Sequence, residues 1–189
     1  MPTEPNEIEL GMHELREIAG YAAECAQRVL PVFEQDTPDD PRPQDAIDAA
    51  LAFSRGGKRT AALRVIAMAA HRVAREASTH AAVEAARAAG HAAAAAYLHP
   101  LAHATQVKHI LAAAACAARA AELDAGDDRS VGAESLDWAF QHAPSSVVAV
   151  LARYPAAPTG GGRVGELLRD LDADLRDRAP GTKTLSLEP

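Results

Sequence analysis

Residues 81–123 read AAVEAARAAGHAAAAAYLHPLAHATQVKHILAAAACAARAAEL, and outside the His-Pro-Leu-Ala-His interruption they are dominated by alanine. Ala is the best helix former, and its small side chain lets helix axes approach to about 8 Å. In the first half Val83, Ala86, Gly90, Ala93 and Tyr97 recur at steps of three and four. In the second half Ala104, Val107, Leu111, Ala114 and Ala118 do the same. Those steps put each set on one helical face. The stretch therefore predicts a hairpin of two long helices, the second opened by Pro100 and ending near Leu123. Gly90 costs a helix interior about 1 kcal/mol against Ala, so it predicts close approach by a neighbouring helix.

Working outward, Leu15, Ile18, Ala22, Cys25 and Val29 predict a first helix over about 9–34, kinked by Pro31 or ended near Leu30. The Pro- and Asp-rich segment 36–43 is a turn into a second helix from Pro43 to Ser54, stopped by Gly56-Gly57. Thr60 is placed to cap a third helix bearing Leu63, Ile66, Ala70, Val73 and Ala77, and Ser78 or Thr79 to cap the fourth. After a loop at 124–130, short helices are expected over 134–142 and 145–153, with Trp138 and Phe140 plugging one end of the bundle. A Pro- and Gly-rich linker at 154–162 leads to an amphipathic helix over 164–176 carrying Val164, Leu167, Leu168, Leu171 and Leu175. No segment alternates with the period of a strand. The expected fold is all-α, an Ala-rich helical bundle of about six to eight helices. It is expected to form a single helical domain over 9–178, with flexible termini at 1–8 and 179–189.

Charge is unevenly spread over the 189 residues, whose net charge is -7. Residues 1–53 carry -9, residues 54–121 carry +7, and residues 122–189 carry -5. Either the zones neutralise one another across the fold, or they face outward and meet a partner of opposite sign. The basic run Arg55, Lys58, Arg59, Arg64, Arg72 and Arg75 has no aromatic interleaving, which argues against nucleic acid. The apolar runs are far shorter than the roughly 20 residues that span a bilayer, so no membrane segment is expected. Cys25 and Cys116 lie in apolar helical patterns, and the first residues are acidic, without a signal-peptide layout. Buried thiols and a cytoplasmic location are the expectation.

No complete catalytic motif is present. In Gly56-Gly-Lys-Arg-Thr60, Ala52 stands where a phosphate loop needs its leading Gly and Arg59 where it needs Ser or Thr. The densest group of versatile side chains is His91, Tyr97, His99, His103, Gln106 and His109, a candidate ligand pocket for a small molecule or an enzyme. His99 and His103 have the spacing of metal ligands, yet His109 lies well round the helix and no third ligand completes a set. No metal and no cofactor are expected. The alternative site is acidic, with Glu34, Asp36, Asp39, Asp40, Asp45 and Asp48 opposed locally by Arg42 alone.

Ala23-Glu-Cys-Ala-Gln-Arg-Val-Leu-Pro-Val-Phe-Glu34, Pro38-Asp-Asp-Pro-Arg-Pro-Gln-Asp-Ala-Ile47 and Ala89-Gly-His-Ala92 carry a resemblance. Over roughly residues 12–124 the chain resembles small all-helical bacterial proteins described as immunity proteins of polymorphic toxin systems, the immunity-five-like group. The resemblance implies an antidote that binds and neutralises a cognate protein toxin, and it brings no catalytic residues. A basic toxin is then the partner expected at the acidic residues. The oligomeric state is not fixed by any of these features.

Overall fold

The computed structural model describes residues 7–178. The expected first helix is two, α1 (Met12–Gln27) and α2 (Leu30–Asp36). The chain breaks before Pro31, which then occupies the first turn of α2, where its missing N–H removes no helical bond. There follow α3 (Arg42–Ser54), α4 (Ala61–Val73), α5 (His80–Ala94), α6 (Val107–Asp124), α7 (Arg129–His142), α8 (Ser145–Leu151) and α9 (Gly162–Arg178). Short 3-10 turns at Ala95–Tyr97 and Ala104–Gln106 lie between α5 and α6. The described residues are thus all-helical apart from one isolated bridge, Glu7 to Leu101, and their nine α-helices exceed the expected six to eight. The split at Pro31 accounts for the extra helix.

The second arm of the central hairpin begins at Val107, seven residues later than the sequence suggested. Long-range bonds hold the intervening chain. The His99 N–H donates to Gln106 Oε1 at 3.0 Å and the His99 carbonyl accepts the Tyr154 hydroxyl at 2.7 Å. The Pro100 carbonyl accepts the Ile8 N–H at 2.9 Å. Glu7 and Ile8, expected in a flexible terminus, are therefore paired; residues 1–6 and 179–189 of that expectation lie outside the described residues.

α5 and α6 are the centre, with α1 across both, α2, α3 and α4 against α5, and α7 and α9 against α6. Nearly every Ala of the two arms is buried, and the buried side chains form one cluster from Leu15 to Leu175. Gly90 is closely approached, as expected: a Cβ there would meet the His71 ring of α4 at 2.8 Å. Trp138 and Phe140 do not form a joint plug. Trp138 stacks on His142 at 4.0 Å with the Arg28 guanidinium 4.2 Å from its ring, whereas Phe140 lies under Arg178. The linker into α9 turns through Gly160, Gly161 and Gly162, whose φ values of +89°, +79° and +58° suit glycine. Buried Asp172 then accepts the Ala157 N–H at 2.8 Å and Arg176 Nε at 2.8 Å, fastening the linker to α9.

Candidate functional site

The six residues of the candidate ligand pocket face different neighbours. Tyr97 donates its hydroxyl to the Thr60 carbonyl at 2.6 Å, and Arg64 lies 4.5 Å from its ring. Gln106 is spent on the His99 backbone, while the His99 and His103 side chains are exposed. His91 meets the His71 ring edge-on, with centroids 4.8 Å apart. Burial, reinforced by His71, His109, Arg87 and Lys108, pushes the His91 pKa down to about 3. Burial also lowers His109, against the pull of the Ala94 carbonyl. No group of three or more His, Cys, Asp or Glu among the described residues is arranged to hold a metal ion.

His91 does border a polar cavity of about 440 Å³ between α5, α6 and the start of α9, with Glu84, Arg87, Cys116, Arg119 and Arg163. Its charges are paired, and Arg163 links α9 to α6 through Glu122. Glu122, fully buried, accepts Arg119 at 2.8 Å and Arg163 at 2.5 Å. Burial alone would raise its pKa, but the bonds from Arg163 and Arg119 win and lower it. Gly132 of α7 packs directly on that carboxylate, leaving no room for a Cβ. Glu84 accepts Arg87 at 2.6 Å through Oε1, while its buried Oε2 has no hydrogen-bond partner among the described residues. Both cysteines are buried, and burial raises both thiols, Cys25 to about 12.

The acidic candidates divide by role. Asp36 accepts the Ser78 N–H at 2.9 Å and the Thr79 N–H at 3.1 Å, joining the end of α2 to the start of α5. Those bonds, with the Thr37 hydroxyl, overcome burial and lower its pKa. Asp40 is paired with Arg42, which also reaches Glu76. Asp48 accepts only Gln44 at 2.8 Å. Glu34, Asp39 and Asp45 are exposed and carry no side-chain hydrogen bond or ion pair among the described residues. The outward acidic surface therefore rests on Glu34 of α2, Asp39 of the turn that follows it, and Asp45 and Asp48 of α3.

A second acidic surface was not among the sequence candidates. α7 and α9 enclose an open groove of about 660 Å³, floored by half-buried Leu136 and Phe140 and rimmed by Asp137, Asp170, Asp174 and Asp177. All four carboxylates are exposed, and none forms an ion pair among the described residues. Arg178, the cation at the groove, is turned to the carbonyls of Phe140 and Ala143 at 2.7 and 2.6 Å. The available sequence signal was the spacing of Asp170, Asp174 and Asp177, four and three residues apart on the polar side of α9. The α7 contribution needed the tertiary fold.

The sequence profile of the family described as Imm-5 like putative immunity protein matches residues 9–146. No curated protein and no solved structure matches the chain.

Proposed function

The chain belongs to the Imm-5 like family, and we propose that it acts as an antidote which binds a cognate protein toxin and neutralises it by occupying it. The observation carrying this reading is the family match over α1 to the start of α8. The side chains agree with it. Glu34, Asp39, Asp45 and Asp48 face solvent without a cationic partner, a charge distribution suited to meeting a basic protein. Exposed carboxylates of this kind contribute little to folding, so their value lies in encounter.

A toxin that arrests growth when expressed alone is expected to become harmless when this chain is co-expressed. Replacing Glu34 by Gln and Asp39, Asp45 and Asp48 by Asn is expected to slow association severalfold at low salt and to flatten its salt dependence. The thermal melt should move by only a few degrees, from loss of the Asp45 charge in the first turn of α3. An unchanged association rate would remove α2 and α3 from the contact, and failure to protect cells would remove the antidote reading. A second reading, a small-molecule binder, is favoured by the cavity at His91 and the unpartnered Glu84 Oε2. A ligand retained through purification would select it.

A further inference from the structure

We propose that the groove between α7 and α9 receives a basic amphipathic helix of the toxin, an inference that rests on the antidote reading above. The floor and the rim make separate demands. Half-buried Leu136, and the part of Phe140 that the Arg178 guanidinium does not cover, leave apolar surface that an aliphatic stripe would meet. Asp137, Asp170, Asp174 and Asp177 surround it with four carboxylates that form no ion pair among the described residues, against the single positive charge of Arg178, whose guanidinium donates to backbone carbonyls. A docking segment must bring both apolar side chains and several cations.

The spacing selects a helix. Asp170, Asp174 and Asp177 climb one side of α9 over about 10 Å at 1.5 Å per residue. A helix laid along the groove repeats that rise, so Lys or Arg at steps of three and four meets the carboxylates while its apolar stripe meets the floor. Two other occupants fit less well. Residues 179–189 follow Arg178 but bring one Lys against one Glu, leaving the rim charge uncompensated. A second copy of the chain would add its own acidic surface, at net charge -7.

The test uses the full chain and a synthetic Leu/Lys helix of about 14 residues. Backbone amide spectra of the labelled protein are expected to shift at Leu136, Phe140, Asp170 and Asp174 as this peptide is added. A Ser/Lys peptide of equal charge and a Leu/Glu peptide should leave those signals in place. Combining Asp170→Asn, Asp174→Asn and Asp177→Asn is expected to weaken Leu/Lys binding about tenfold while the thermal melt holds. Shifts confined to α2 and α3, or equal binding of the Ser/Lys peptide, would overturn the proposal. Groove signals that move on dilution, or on deleting residues 179–189, in place of responding to the peptide would assign the groove to a second copy or to the chain's own end. The peptide measurement does not involve the toxin, so it fails separately from the antidote reading.

Discussion

His91 is held neutral by burial beside His71, with Arg87, Lys108 and His109 adding to the suppression. Its pKa falls from 6.5 in the unfolded chain to about 3 in the fold, so the unfolded state binds the proton first. The stability this provides is complete above pH 6.5 and is lost as pH falls toward 3. His71 and His109 are shifted in the same direction. Urea midpoints are therefore expected to fall from about pH 7 to about pH 5, with His91 accounting for a loss of at most about 2 kcal/mol in unfolding free energy. His91→Gln should flatten that slope; an identical slope in the variant would show that His91 is not the group responsible. Residue types in the sequence marked His91 as a candidate but could not distinguish it from Tyr97 or His99. Their partners, His71, Thr60 and Tyr154, lie outside the segment that drew attention to them. Asp36 and Asp39 show the same limit. They stand three apart in one acidic run, yet bonds to Ser78 and Thr79 make one an internal cap and leave the other outside.

Three-and-four spacing placed the buried faces of α1 and α9, because burial on an outer helix follows its 3.6-residue turn. It did not place those of α5 and α6, which are buried on nearly every side while Val83 and Tyr97 of the expected stripe stay half-buried. The same periodicity exposed Gly90 as a point of close approach. Gly90→Leu is expected to cost about 1 to 3 kcal/mol by driving its side chain into the His71 ring, read as a lower thermal or urea midpoint. Even Gly90→Ala obliges that ring to move, since the added Cβ would lie 2.8 Å from it. A leucine variant as stable as the parent would contradict the packing of α4 on α5. The start of α6 was not legible, because residues 99–103 are set by Ile8, Gln106 and Tyr154 and not by local propensity alone. The groove was hidden for a related reason. Its aspartates come from α9 and α7, and their common rim exists only once both helices pack on α6.

Across the whole molecule, the basic middle third forms α4, α5 and most of α6, while the acidic outer thirds supply α1 to α3 and α7 to α9. Part of that separation is neutralised where Arg119 of the middle third bridges Glu122 and Asp127 of the last. Two outward surfaces are acidic, the exposed carboxylates from α2 to α3 and the rim between α7 and α9, while Arg55, Lys58, Arg59, Arg64, Arg72 and Arg75 of the middle third are exposed as well. Both sign and geometry match a basic protein partner, and the family supplies the reason for one. Mass spectrometry of the chain purified from its source cells, under native and then denaturing conditions, decides whether it carries such a partner. A one-to-one complex with a single basic protein that separates on denaturation is expected. A free chain, or one carrying only the mass of a small ligand, would contradict it.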